Sequence, residues 1–271
     1  MIPLAQRLVL PLLFSAGLFA VLWIWKGRVI NELGDPAIVT GWFLFAVILF
    51  LGAYNVRKKL AAFNVGPARA WLALHIAGGL LAVCIFLFHT GTLWPTGIYE
   101  QILATLFWIV TITGFFGVAV IVIYPRRLTD SGLEINYEEI PSKIYDIRER
   151  AEAEVVACTE KSGESTLADH YVDTMDWYFR RPRFYINYLV GGIGAEAWIR
   201  SHGDAVRRYL SADETPFLDR LLSLADEKTA IDRQYACQDI MRKWLVAHVP
   251  FSVALIGISV WHLILVHVYA K

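Results

Sequence analysis

The sequence predicts an all-α integral membrane protein: a bundle of about five transmembrane helices with a largely helical insert between helices 4 and 5. Two observations predict this class. First, 56% of the 271 residues are hydrophobic, and the mean hydropathy is +0.47. Second, the apolar residues lie in five long runs with almost no charge, each near the ~20 residues that a helix needs to cross a bilayer. A soluble domain would distribute its apolar residues in periodic patterns instead.

The five apolar runs define the predicted organisation of the chain. In order, the runs are Leu8–Trp25, Ile38–Val56, Trp71–Leu93, Ile102–Tyr124 and Val246–Ala270. We expect the first to be a retained helix and not a cleaved signal peptide, because no small-x-small cleavage motif follows it. Residues 1–124 then hold helices 1–4, residues 125–245 form the insert, and residues 246–271 hold helix 5, which packs with 1–124 as one bundle.

The insert carries almost all of the acidic residues and is predicted to be helical. Helices are predicted over Tyr145–Cys158 and Pro216–Leu245, with a turn at residues 162–165. The glycine-rich segment 191–194 lacks the lysine of a P-loop and does not fit GxGxxG, so no nucleotide site is predicted. The basic, aromatic segment Trp177–Tyr188 has two interpretations: a surface that lies on the inner face of the membrane or binds a partner, or a solvated basic face beside a structural aromatic cluster. The formal net charge of zero gives no sign of nucleic-acid binding.

Basic residues in the loops predict the orientation. They lie between the second and third runs, after the fourth run and before the fifth, at Arg57, Lys58, Lys59, Arg69, Arg126, Arg127, Arg242 and Lys243. The positive-inside rule places these segments in the cytoplasm. A multi-pass protein of the cell inner (plasma) membrane follows, with the N-terminus and the 125–245 insert cytoplasmic and the C-terminus periplasmic. Lys26 and Arg28 in the first external loop are an exception. The third and fifth helices then run in the same direction.

Two histidine pairs with identical spacing are the main functional signal. His75 and His89 lie in the third run, and His248 and His262 in the fifth, each pair fourteen residues apart. Fourteen residues are just under four helical turns, so both imidazoles of a pair return to within about 40° of one face and lie about 21 Å apart along the axis. That separation places them near opposite edges of a hydrocarbon core about 30 Å thick. Two such helices facing each other present four imidazoles in two stacked pairs.

This arrangement predicts bis-histidine ligation of two b-type haems. His75 and His248 would ligate the iron of an inner haem, and His89 and His262 that of an outer haem. Ionisable residues in a membrane are costly and usually face the bundle interior with a partner, which fits this interpretation. The alternative is a set of hydrogen-bonded core or cavity histidines. None of the three cysteines forms a CxxC motif, so neither an iron–sulfur cluster nor a covalently attached c-type haem is predicted.

Small residues accompany the histidines. Gly78 and Gly79 lie on or beside the His75/His89 face, where the edge of a porphyrin would need space, and we include both as candidate haem-contacting residues. Gly114 and Gly117 give the fourth helix a similar small surface. The alternative role of all these glycines is small-xxx-small helix packing, which uses the same residues.

Two segments of the chain resemble the di-haem b-type membrane cytochromes: Trp71–His75-Ile-Ala-Gly-Gly…His89 and Trp244-Leu-Val-Ala-His248…His262. Their spacing is similar to that of cytochrome b in quinol–cytochrome c oxidoreductases, and a five-helix chain resembles the membrane subunit of respiratory nitrate reductase. The resemblance covers the third and fifth helices and has no counterpart for the insert. It implies an electron-transfer subunit of a membrane oxidoreductase complex, working between a quinone pool and a partner redox protein such as an iron–sulfur protein or a c-type cytochrome. No catalytic residue is predicted in this chain.

Two other functions remain open from the sequence. One is a self-contained transmembrane reductase of the ferric-reductase type, which would need a flavin and nicotinamide domain that the insert does not resemble. The other is a histidine-lined transporter without haem. A transporter of that kind would be expected to carry acidic residues inside its spans, and the five apolar runs have none.

Overall fold

The computed structural model of the protein describes residues 4–32, 36–56, 67–130 and 135–269. This part of the chain is 88% helical and contains no strand, which confirms the predicted all-α class. The ten α-helices are, in order, α1 (Leu4–Asn31), α2 (Ala37–Val56), α3 (Ala68–Thr90), α4 (Ile98–Asp130), α5 (Ile140–Ser162), α6 (Thr166–His170), α7 (Asp176–Phe179), α8 (Tyr185–Val190), α9 (Gly194–Arg207) and α10 (Thr215–Tyr269). Five of them, α1 to α4 and α10, are long and apolar enough to cross a membrane.

The chain divides into two compact units. The membrane unit comprises residues 1–118 and 244–271, and the insert unit comprises residues 119–243. Both divisions fall inside long helices, because α4 and α10 continue from one unit into the other. The predicted domain limits at residues 124 and 245 lie in these same two helices. Arg57, Lys58 and Lys59, on which much of the predicted orientation depends, lie outside the described residues.

The limits of several helices differ from the predicted spans. α1 continues beyond Trp25 to Asn31. α3 stops at Thr90 and not at Leu93, because Gly91 adopts φ +69° and donates its backbone N–H to the Leu87 carbonyl at 2.9 Å. Glycine adopts this left-handed C-cap conformation without strain, whereas residues with a side chain are strained in it. α4 continues beyond Tyr124 to Asp130. Hydropathy locates apolar runs, whereas the cap residues and the hydrogen bonds determine where a helix ends.

All five long helices contribute to one apolar core in the membrane unit. Its buried residues include one or more from each helix, among them Leu22, Ile48, Ile85, Phe107 and Leu255. Phe86 of α3 stacks on Phe107 of α4 with ring centroids 4.2 Å apart. Such an offset aromatic pair adds about 0.5–1.5 kcal/mol beyond the area that it buries.

The contacts of α2 show that α3 and α10 run in the same direction. Residues near the start of α2 contact residues near the C-terminal ends of α3 and α10, and residues near the end of α2 contact earlier residues of both helices. The contacting pairs are Gly41/His89 and Leu51/Gly78 with α3, and Trp42/His267 and Gly52/Ile256 with α10. α2 is therefore antiparallel to both. The two histidine-bearing helices are parallel to each other, as the predicted topology requires.

α1 packs on the end of α3 and explains one exception in the charge pattern. Phe88 of α3 lies against Phe19 and Trp23, with ring centroids 5.6 and 5.3 Å away. Lys26 donates a hydrogen bond from Nζ to the Phe88 carbonyl at 2.6 Å, and its ammonium lies 4.0 Å from the centroid of the Phe88 ring. A cation at a helix C-terminus is stabilised by the free carbonyls there. Lys26 therefore has a structural partner at this end of the bundle.

The insert unit has its own core around α5 and the first half of α10. The buried residues of α5 recur at helical spacing and pack against Leu218, Leu221 and Ile231. Inside this unit Lys228 and Asp232 form an ion pair of 2.6 Å with both side chains fully buried. Lys228 also donates to the Arg181 carbonyl at 3.1 Å, and Asp232 accepts the backbone N–H of Arg183 at 3.2 Å.

His170 gives the insert unit a dependence on pH. Its Nε2 is buried and has no hydrogen-bond partner among the described residues. Burial lowers the pKa of His170, the nearby His202 lowers it further, and Asp173 opposes the shift. Below the ordinary histidine pKa of about 6.5, the unfolded chain then binds a proton that the folded chain binds less readily.

We therefore predict that the insert unit loses stability as the pH falls through and below about 6.5, by at most about 1.4 kcal/mol per pH unit from this one residue. The His170→Gln substitution should flatten the dependence. Thermal unfolding of the full-length solubilised protein, compared near pH 7.5 and near pH 5.5, measures it. An identical pH dependence in the variant and the unchanged protein would show that His170 does not contribute.

Candidate functional site

The four histidines all lie half-buried on inward faces of α3 and α10. On α10 the inward stripe runs through His248, Ser252, Leu255, Ser259 and His262, and Leu255 on this stripe is 5% exposed. Residues on the opposite side of α10 are largely exposed, as lipid-facing residues of a membrane helix would be. The fourteen-residue spacing therefore does place both imidazoles of each pair on the side of the helix that packs in the bundle.

His248 is held by α4 and by its own helix. The Thr113 hydroxyl lies 2.9 Å from His248 Nδ1. The Trp244 indole stacks on the imidazole with centroids 5.6 Å apart, and its Nε1 donates to the Thr113 carbonyl at 2.8 Å. Gly117 makes this possible, because a side chain at that position would run into the Trp244 indole. The small surface predicted on α4 thus seats Trp244 and, through it, orients His248.

His89 is held in a similar way by α2. The Thr40 hydroxyl lies 3.0 Å from His89 Nδ1, and Thr40 is almost fully buried. The imidazole packs on Gly41, where a Cβ would lie 3.1 Å from His89 Cε1. Sequence reasoning missed both threonines. Each lies on a helix other than the one that carries its histidine, so no spacing in the sequence connects them.

The two threonines favour one tautomer of each imidazole. The Thr40 hydroxyl also lies 3.0 Å from the carbonyls of Pro36 and Ala37 on its own helix. The Thr113 hydroxyl lies 2.8 Å from the Ile109 carbonyl and 3.0 Å from that of Val110. A hydroxyl has one proton, and here a helix carbonyl accepts it, so the oxygen remains as an acceptor for Nδ1–H. This arrangement favours a proton on Nδ1 of His89 and of His248, and in the neutral ring Nε2 then carries the lone pair.

His75 of α3 is close enough to His248 of α10 to interact with it electrostatically, and the backbone of Leu51 approaches the His75 ring. The pairing of these two histidines on one iron stays a prediction. The Tyr54 ring lies 5.0 Å from the His75 ring, centroid to centroid. His75 Nδ1 is buried and has no hydrogen-bond partner among the described residues. A buried, unpaired ring nitrogen is costly in free energy, so a group that bonds to it would stabilise this region.

His262 and His89, the predicted outer pair, have different neighbours in the structure. The Tyr99 ring of α4 stacks on His262 with centroids 5.8 Å apart, and its hydroxyl donates to the Ile258 carbonyl at 3.3 Å. Glu100 is close enough to His262 to interact electrostatically. His89 instead contacts α2. His267 lies against Trp42 and pairs Nδ1 with the Leu263 carbonyl at 2.9 Å, away from the stripe.

The two candidate glycines have different surroundings. A Cβ on Gly78 would lie 3.1 Å from Leu51 of α2, so Gly78 permits close packing of α2 on α3. This is the helix-packing role that the sequence left open. A Cβ on Gly79 would meet no atom within 4 Å, so open space lies beside α3 one turn from His75. Of the two glycines, Gly79 fits the predicted haem-contacting role and Gly78 fits helix packing.

A haem would need only two protein ligands for its iron. The described residues offer threonine contacts at Nδ1 of His89 and His248, the buried Nδ1 of His75 without a hydrogen-bond partner, and open space beside Gly79. Among the described residues, no group of three or more His, Cys, Asp or Glu side chains could hold a metal ion by itself. The chain matches no protein-family model, no curated protein and no solved structure.

Proposed function

We propose that the protein is a di-haem b-type cytochrome that serves as an electron-transfer subunit in a membrane. His75 and His248 would hold one haem, and His89 and His262 the other. The observation that carries this proposal is the repeated histidine–threonine arrangement. In each of two histidines from different, parallel helices, the hydroxyl of a threonine from another helix lies within hydrogen-bond distance of Nδ1, so that Nε2 is the nitrogen that could ligate iron. Ligating histidines typically have their second nitrogen fixed in this manner.

A bound haem supplies a one-electron iron couple whose potential depends on its ligands, their hydrogen bonds and burial. The residues of this chain supply the rest. Thr40 and Thr113 hold the ligand nitrogens in one tautomer, and Trp244 orients His248. The apolar core with Phe86 and Phe107 gives the membrane unit a nonpolar interior. The positions near opposite ends of the bundle suit electron transfer across or within the membrane.

The proposal extends to the partners and the orientation. We infer that electrons pass between a quinone pool and a partner redox protein, an iron–sulfur protein or a c-type cytochrome. The charge pattern supports a cytoplasmic insert and a periplasmic C-terminus in the inner membrane. The apolar helices themselves indicate a lipid bilayer as the surroundings of the membrane unit.

The visible spectrum of the purified protein tests the proposal. We expect a sharp Soret band, a reduced α-band typical of haem b, and two haems per chain by pyridine haemochrome analysis. A colourless protein, purified from cells with ample haem, would contradict the proposal and favour the transporter. Reduction by a quinol but not by a nicotinamide nucleotide is expected, and the opposite result would favour a reductase of the ferric-reductase type.

The threonine contact gives a sharper prediction. In Thr113→Val, His248 loses the acceptor for Nδ1–H and becomes a weaker donor to oxidised iron, so the potential of that haem should rise. Its haem affinity should fall about 10-fold or more, a typical effect of removing such a contact. Redox titration of the α-band and haem content measure the two effects.

Two variants control this experiment. Thr113→Ser keeps the hydroxyl and should restore the potential. Thr105→Val removes an exposed threonine of the same helix whose hydroxyl bonds only its own helix, to the Gln101 carbonyl at 2.7 Å, and should leave both potentials unchanged. If Thr113→Val also leaves both potentials unchanged, Thr113 does not support an iron ligand.

A further inference from the structure

One face of α8 in the insert unit is apolar and exposed. Ile186 and Val190 lie one turn apart on α8 and are 74% and 71% exposed, and Ile193 just beyond the helix is 74% exposed. Tyr188, on the other side of the same helix, is buried in the core. Large apolar side chains exposed on one helix face of a charged unit, with a third such side chain three residues further along the chain, are unusual and mark a surface that contacts something apolar.

Hydrogen bonds connect α8 to the end of the apolar part of α4. Arg127 donates two hydrogen bonds from Nη1, to the carbonyls of Tyr188 at 3.1 Å and Leu189 at 2.6 Å. The Tyr124 hydroxyl also donates to the Leu189 carbonyl, at 3.4 Å. The last carbonyls of α8 are thus paired with a cation, which also suits the helix dipole. These bonds keep the C-terminal end of α8 at the level of residues 124–127 of α4.

Sequence and helix length place the edge of the bilayer at that level. α4 carries no charged side chain between Glu100 and Arg126, and about 20 of these residues suffice to cross the hydrocarbon core. Tyrosine and arginine at the end of a membrane helix are typical of the headgroup region, where Tyr124 and Arg127 would lie. The backbone of α8 that they bind would therefore lie in the same region.

The chain around α8 has the charges and rings that suit a lipid surface. Arg126 and Arg181 are exposed. The Arg183 guanidinium lies 4.0 Å from the centroid of the Trp177 ring, which is 45% exposed, and Trp177 contacts Phe184 at the start of α8. Basic residues attract anionic headgroups, and tryptophan prefers the interface.

We propose that α8 is an interfacial membrane anchor: it lies along the bilayer surface and inserts Ile186, Val190 and Ile193 among the lipid acyl chains. The partner is the lipid bilayer itself, and the arginines contact its phosphate groups. This role does not depend on haem. It would hold one side of the insert unit on the membrane and so limit its movement.

Quenching of a fluorophore by lipids tests the anchor. In a Cys84→Ala background, which removes the exposed native cysteine and leaves the buried Cys158 and Cys237, the fluorophore bimane is attached at Val190→Cys. The matched control is Val172→Cys, a valine of the insert unit that is 69% exposed beside Asp173. Both proteins are reconstituted in phosphatidylcholine–phosphatidylglycerol vesicles, with or without lipids that carry a nitroxide on the acyl chain.

We expect quenching by the nitroxide lipid to be several-fold stronger at position 190 than at position 172, and quenching by aqueous iodide to show the reverse order. Equal quenching at the two positions would overturn the proposal. Weak quenching of position 190 by both reagents would also overturn it, because it would mean that a protein surface covers α8. Adding Ile186→Glu to the Val190→Cys protein should reduce the lipid quenching, since a carboxylate among acyl chains is costly. Unchanged quenching would contradict insertion at this face.

Discussion

The substitutions His75→Ala and His248→Ala should each remove the same haem and leave about half of the α-band absorbance. If the protein binds haem as proposed, each haem would be held by two histidines, and loss of either is expected to empty the site. His89→Ala and His262→Ala should each remove the other haem. The double variant His75→Ala/His248→Ala should lose no more absorbance than either single variant. Haem per chain and the low-temperature α-band spectrum measure these losses.

His267→Ala is the matched control, because His267 lies on α10 outside the inward stripe and bonds to its own helix. It should keep both haems. If His75→Ala and His248→Ala remove different haems, the pairing is wrong even though the protein binds haem. Gel filtration of each variant in detergent separates loss of a ligand from loss of the fold.

Breaking the buried ion pair of the insert unit is expected to have the largest effect on stability. In Lys228→Met the Asp232 carboxylate would lose its partner in a fully buried site, at a cost of about 3–5 kcal/mol. One oxygen of this carboxylate, Oδ1, already has no hydrogen-bond partner among the described residues. Hydrogen exchange of the amides in the insert unit of the full-length protein measures the loss.

Two further variants make this test specific. Arg150→Met removes an arginine that pairs with Glu227 at 3.0 Å with both side chains exposed, and it should cost about 0–1 kcal/mol. Lys228→Met/Asp232→Leu removes both charges and should recover much of the lost stability, because no unpaired charge is then buried. If the double variant is as unstable as Lys228→Met alone, the shape of the site and not the charge determines its stability.

Much of the fold could be predicted because membrane helices have a strong local signal. An apolar run of about 20 residues predicts a spanning helix wherever it occurs, and all five predicted runs are helices in the structure. The residues at which the helices end were less predictable from the sequence. α3 stops early because of the conformation of Gly91, and the Lys26 ammonium at the end of α3 depends on the packing of α1.

The candidate site was also only partly predictable from the sequence. Helical periodicity alone places His248 and His262 on one stripe of α10, and the structure agrees. The roles of the glycines were ambiguous, because small residues serve both helix packing and cofactor contact. The structure shows that Leu51 lies next to Gly78, which fits helix packing, and that open space lies next to Gly79, which leaves room for cofactor contact.

The amino-acid sequence by itself determined the membrane class, the five helices and the equal spacing of the two histidine pairs, because hydropathy and helical period depend on residues close together in the chain. The tertiary structure alone decided that Thr40 contacts His89 and Thr113 contacts His248, and so which imidazole nitrogen faces a threonine hydroxyl. Those contacts depend on how each helix is rotated against its neighbours, and that rotation is set by packing at positions such as Gly41, Gly78 and Gly117, far apart in the sequence.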